Sequence, residues 1–205
     1  MILDSLHDAE ARRALEAVAA VCDDPRALDS GAELPERFPR DLFEERDGGL
    51  RVRGGWKEHA AELGDRSRRA WRALRSRLLV PRGAPLGAAL DAAAPLFDTG
   101  LYFEVHELLE PHWIRAKGYD REALQGLIQV AVGFQHLANG NIAGARALLR
   151  EGSAKIAGLT LEGLDLDPFA RGARACLADL IASDACAPRR FDWTGVPPFP
   201  GPVAA

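Results

Sequence analysis

LFDTGLYFEVHELLEPHWIRAKGYDREALQGLIQVAVGFQHLANGNIAGARALLRE, residues 96–151, decides the fold. Apolar residues recur at spacings of three and four, which predicts helices over 101–116, 121–138 and 142–158. The punctuation between them is Asp98-Thr99-Gly100, Lys117-Gly118 and Asn139-Gly140-Asn141. Connections this short make successive helices antiparallel neighbours. Further helices are expected at 87–97 and at 168–183, the latter capped by Asp167 with Pro168 at its first position. Gly100 matches Gly140, and Leu108-Leu109 match Leu148-Leu149, at a period of 40 residues. Each copy reads as a helix end, a Gly turn and a second helix, which is tetratricopeptide-like packing. The period differs from the ~34 residues of that repeat, so the unit is an analogue and not an array. The fold class is all-α, built of antiparallel helical hairpins.

Outward from this stretch the pattern is less regular. Residues 8–22 have helical spacing, with Leu15, Val18 and Val21 on one face. Pro25, Pro35, Pro39 and Gly48-Gly49 make 24–50 a loop, within which LFEERDGGLRVR (42–53) reads as a short hairpin across Asp47-Gly48. A helical pattern returns from Trp56 to Leu79, with Trp71, Leu74 and Leu78 on one stripe, and Pro81 and Pro85 end it. The expected organisation is an N-terminal helical extension over 1–85, an all-helical domain over 86–185 and an extended Pro-rich tail over 186–205. Phe191, Trp193 and Phe199 would anchor that tail.

Composition bounds the function. The chain of 205 residues is 47% apolar and 27% charged, an ordinary globular balance that excludes a disordered or collagen-like class. Its net charge of −4 points to neither nucleic acid nor a membrane. The exception is Arg51–Arg82, where ten Arg or Lys face only Glu58, Glu62 and Asp65. That segment is either an anion-binding face or a solvated helix face. Aromatic residues do not interleave with its charges as single-strand binding requires, which disfavours nucleic acid. The uncharged run Ala123–Ala145 is long enough to span a bilayer, yet Gln125, Gln129, Gln135, His136, Asn139 and Asn141 interrupt it, so it reads as buried helix. Cys22, Cys176 and Cys186 lack a CxxC spacing, and Asp4, Asp8 and Glu10 do not suit a signal peptide. The expected setting is a bacterial cytoplasm.

The chemistry sits on two of the helices. At 100° per residue, Tyr102, Phe103, His106, Leu109, Glu110 and Trp113 share one face of 101–116, with Glu107 on its flank and Glu104 and His112 pointing elsewhere. Gln125, Gln129, Val132, His136 and Asn139 form an uncharged polar stripe on 121–138. In an antiparallel pair, residues at one level share a constant sum of numbers. Trp113 with Gln125, Glu110 with Gln129, His106 with Val132 and Tyr102 with His136 all fit one register. In one reading these groups satisfy one another, Glu110 accepting from Gln129, and the network fixes helix register. In the other, His106, Glu110 and His136 hold Zn²⁺, Fe²⁺ or Mn²⁺, with Glu107 or Glu110 as general base. Tyr102, Trp113, Gln125 and Gln129 would then orient the ligands or line a small-molecule site. The spacing His106 to Glu110 is HExxE, which is neither the HExxH of zincins nor the ExxH of di-iron bundles.

The blocks LFDTGLYFEVHELLEPHW and LQGLIQVAVGFQHLANGNIAGARALLREG resemble the bacterial and archaeal family known as domain of unknown function 309. Phe97, Gly100, Tyr102, Phe103, Glu104, His106, Glu107, Glu110 and Trp113 match the first family block. Gln125, Gly126, Gln129, Ala131, His136, Gly140, Asn141, Gly144 and Ala145 match the second. Asp98 stands where the family usually has Asn. Residues 1–85 and the tail lie outside the resemblance, which implies a small all-helical fold. Members are sometimes labelled metal-dependent hydrolases, with no substrate attached.

The expected function is therefore metal-dependent hydrolysis at a His/Glu/Gln site between two helices. The alternative is a non-enzymatic helical interaction module. The partner is a small molecule or a protein, and a homo-oligomer is compatible with the sequence. Trp56, Trp71, Trp113 and Trp193 read as core anchors rather than cofactor stacks, and no Walker, Rossmann or GxSxG motif is present.

Overall fold

The computed structural model describes residues 1–28, 33–182 and 191–201. They contain eight α-helices and two short hairpins, grouped in two compact units, Met1–Gly83 and Ala84–Ala205.

In the first unit, α1 (Asp4–His7) leads into α2 (Ala9–Asp23), which Asp8 caps by accepting from the Ala11 amide at 2.8 Å. Strands β1 (Phe43–Arg46) and β2 (Gly49–Val52) pair antiparallel, Phe43 opposite Val52 and Arg46 opposite Gly49. The connecting Asp47 and Gly48 both have positive φ, the turn that the Asp-Gly pair favours. Ala17, Val18 and Val21 of α2 bury against Phe38 and Phe43, whose rings lie 5.1 Å apart. The helix expected from Trp56 to Leu79 is shorter. A 3₁₀ turn occupies Gly54–His59, and α3 runs from Ala60 to Leu74. Leu78, expected on its apolar stripe, is 91% exposed.

In the second unit, α4 (Leu86–Asp98), α5 (Tyr102–Arg115), α6 (Gly118–Ala138) and α7 (Ile142–Ile156) follow one another as hairpins. Each lies within a few residues of its predicted bounds. Gly100 and Gly140 turn the chain at φ of 76° and 79°, a conformation that costs a residue with a Cβ. Asn141 caps α7 by accepting from the Gly144 amide at 2.9 Å. A hairpin of β3 (Thr160–Leu161) and β4 (Leu164–Asp165), absent from the sequence reading, joins α7 to α8 (Asp167–Ala182). There the Asp167 amide donates to Asp165 Oδ1, and Asp167 Oδ1, expected to cap the helix, accepts from Gly158 N.

The core centres on Phe97 at the end of α4. Its ring lies 5.0 Å from Tyr102 of α5, 5.8 Å from Phe134 of α6, 5.2 Å from Phe169 of α8 and 5.5 Å from Phe199. Asp98, the departure from the family's usual Asn, holds the same region by accepting from the Phe199 amide at 2.8 Å. The uncharged run Ala123–Ala145 is divided by the Gly140 turn between α6 and α7. Among the described residues no helix is long and apolar enough to cross a membrane.

Candidate functional site

Helix α5 buries Tyr102, Val105 and Leu109 on its inner side. One turn of its outer side gathers three donors. The side chains of His106, Glu107 and Glu110 each offer an atom, all within 4.8 Å of one another. His106 Nδ1 lies 3.5 Å from Glu107 Oε1, and His106 Nε2 lies 3.8 Å from Glu110 Oε1. The imidazole thus stands between two carboxylates, with all three side chains partly open to solvent. Phe103, one turn earlier, packs edge-on against His106 with centroids 6.1 Å apart. Pro111 has no N–H to give the Glu107 carbonyl four residues before it, so one further oxygen beside the cluster lacks its helical donor.

The other expected members lie differently. His136 is outside the group, and its Nδ1 is 3.0 Å from Asn141 Nδ2 across the α6–α7 turn. Gln129 donates to Glu151 Oε2 of α7 at 3.0 Å rather than to Glu110. Its Oε1, like Trp113 Nε1, is buried without a hydrogen-bond partner. Arg121 stacks its guanidinium over the Trp113 ring at 4.3 Å and donates to the Trp113 carbonyl at 2.9 Å, which closes the end of α5. Tyr102 packs between the Phe97 and Phe134 rings. Gln125 is half-buried on α6.

Two of these features had a readable signal. Gln129 and Glu151 lie symmetrically about Gly140, so the constant-sum argument applied to the second hairpin finds their contact. Glu104 is 4% exposed, the one buried carboxylate among the described residues. Helical projection set it aside, although the motif FEVHE contains it.

Other chemistry is weaker. Burial pushes the Cys176 thiol up to about 11, so it carries almost no thiolate at neutral pH. Cys22 shifts the same way for the same reason, and Cys186 lies outside the described residues. In the first unit much of the basic segment is committed internally. Arg53 donates to the Phe43 carbonyl, Arg68 pairs with Asp23, Arg69 with Asp65 and Arg82 with Asp4. The Arg82 hydrogen bond holds the Asp4 carboxyl below its usual range.

Residues 90–148 match the family model described as domain of unknown function (DUF309). That segment is similar to the DUF309 family, and the rest of the chain lies outside the match. The match runs from α4 into α7 and carries the whole of α5, so His106, Glu107 and Glu110 belong to the matched part of the chain. No curated protein and no solved structure matches the chain.

Proposed function

We propose that the DUF309-like segment holds a divalent cation on α5 through His106, Glu107 and Glu110 and uses it in hydrolysis. The observation that carries this reading is the convergence of three donors within 4.8 Å on one partly exposed helical turn. The donor set fits such an ion. One imidazole with two carboxylates suits Mn²⁺, Fe²⁺ or Zn²⁺ and leaves positions open for water or substrate. The flanking carboxylates also do what ligating histidines need. One nitrogen of His106 can bind while the other donates its proton to a carboxylate, which fixes tautomer and ring orientation. His136 lies outside this group, with its Nδ1 beside Asn141 Nδ2 at the α6–α7 turn.

Bound there, a divalent cation supplies Lewis acidity toward a water and toward a carbonyl or phosphoryl oxygen. The residues around it have distinct tasks. Of the oxygens of Glu107 and Glu110, one not bound to the ion would accept the proton of the attacking water. Phe103 packs edge-on beside His106.

A second reading, the interaction module, is favoured by one observation. Each nitrogen of His106 already faces a carboxylate oxygen, so the set is complete as an ion-pair network. Elemental analysis of untagged protein separates the two. The metal reading expects about one equivalent in wild type, lost in His106→Ala and Glu110→Ala and retained in His136→Ala. Failure to load after reconstitution with zinc, iron and manganese overturns it in favour of the network.

A further inference from the structure

The three donors are partly open to solvent on α5, and what lies beside them repeats in a symmetrical order. Taking Phe103 as 0° and 100° per residue, Glu107 projects at about 40°, Glu110 at about −20° and Ile114 at about 20°. The four form one narrow outward stripe, with His106 on its edge. The two ends of that stripe are exposed large apolar side chains, Phe103 at 47% and Ile114 at 61%. The order is apolar, carboxylate, carboxylate, apolar, and it reads alike in both directions. An antiparallel partner helix carrying the same stripe would set Phe103 against Ile114 of the second copy and Glu107 against Glu110 of the second copy. Both pairs fall on a single two-fold axis between Leu108 and Leu109, so one register satisfies both.

We propose that two copies of this chain pair along α5 around a divalent-cation centre, pooling two imidazoles and four carboxylates. The proposal rests on the metal reading above and names the partner that completes that site. Charge and area decide the form it takes. Without cations the pairing brings four carboxylates together, which repels. Two divalent cations balance that charge, so the ions are the attractive element of the interface. The stripe from Phe103 to Ile114 is only about 16 Å long at 1.5 Å per residue. One helix contact of that length falls well short of the ~1,200 Å² of a stable interface. The apolar ends therefore set register and shield the centre, and the chain dimerises only when the cation is present.

The test is sedimentation velocity on the full chain with EDTA and with Mn²⁺, alongside metal analysis. Wild type is compared with Phe103→Glu, Ile114→Glu and His106→Ala. The expected result is a monomer in EDTA and a dimer in Mn²⁺ carrying one ion per chain. Phe103→Glu and Ile114→Glu, both at exposed positions that leave every donor in place, should lose the dimer and bind Mn²⁺ at least tenfold more weakly. His106→Ala should lose both dimer and metal. A wild-type monomer that binds Mn²⁺ as tightly as Phe103→Glu overturns the pairing and leaves the metal reading standing. A chain that binds no Mn²⁺ overturns both. A dimer that persists in EDTA, or survives Phe103→Glu, overturns the pairing by showing that another surface holds it.

Discussion

Helix α6 meets α7 along one side and α5 along the other, and the two seams differ in kind. Toward α7 the contact is made by glycines. A Cβ on Gly126 would run into Ile156, one on Gly133 would come within 3.0 Å of Leu149, and one on Gly152 within 2.8 Å of the Gly126 carbonyl. Such an approach brings backbones close and excludes side-chain adjustment. Toward α5 the seam carries Trp113, whose buried Nε1 has no hydrogen-bond partner and whose ring stacks against Arg121 of α6. Beyond it, on the outer side of α5, lie the three donors. The glycine seam holds α6 rigid so that the helix on its other side can carry polar groups at some cost in stability. A site built on a helix braced in this way is held more precisely than one on a loop.

Substitutions in the glycine seam should have the largest effects on stability. Leu149 is fully buried against Gly133, and Leu149→Ala should cost about 2–5 kcal/mol, read as a fall in the denaturation midpoint with an unchanged slope. A cost under about 1 kcal/mol would mean that the seam closes around the gap and is softer than its geometry implies. Gly152→Ala tests the same seam by addition. The new methyl meets backbone atoms of Gly126 and Val130 rather than the ends of flexible side chains. Chemical denaturation should show a loss of about 1–3 kcal/mol.

Next in size is the cap of α7. Asn141→Ala removes the acceptor for the Gly144 amide and should cost about 1 kcal/mol. It also releases His136 Nδ1. Nuclear magnetic resonance at a single pH should therefore show the His136 ring signals moving in the variant while those of His106 stay fixed.

The helices of the second unit were legible because their punctuation is local. Gly100 and Gly140 end helices that begin again within two residues, and period-3.6 patterns fill the intervals between them. The end of α3 was not, since nothing in the run from Arg75 to Leu79 marks the point where burial stops. The β3–β4 hairpin was too short for a periodic signal. For the site, projection put His106 and Glu110 on one face of α5 with Glu107 on its flank, and donor atoms of the three lie within 4.8 Å of one another. The register with α6 also drew in Gln129 and His136, which face α7 and its turn instead. Their side chains had two helices to choose between, and a projection onto one helix pair considers only one. Glu104 was missed for a related reason, because burial on the flank of α5 depends on what packs there.

The smallest expected effect on stability is at the donors, and there the contrast between the seams is sharpest. His106, Glu107 and Glu110 are partly exposed, and ion pairs in that setting contribute little. Glu107→Gln and Glu110→Gln should therefore leave the metal-free protein within about 0.5 kcal/mol of wild type by chemical denaturation. Metal changes the comparison, because an ion that binds the folded chain alone stabilises it by mass action, by about 2.7 kcal/mol at one hundred times its dissociation constant. With Mn²⁺ present the wild type should gain that stability and the two Gln variants should not. If instead Glu110→Gln destabilises the metal-free chain by more than about 1 kcal/mol, the carboxylate is a structural partner of His106. The α5 face would then serve the fold in the same way as the glycine seam.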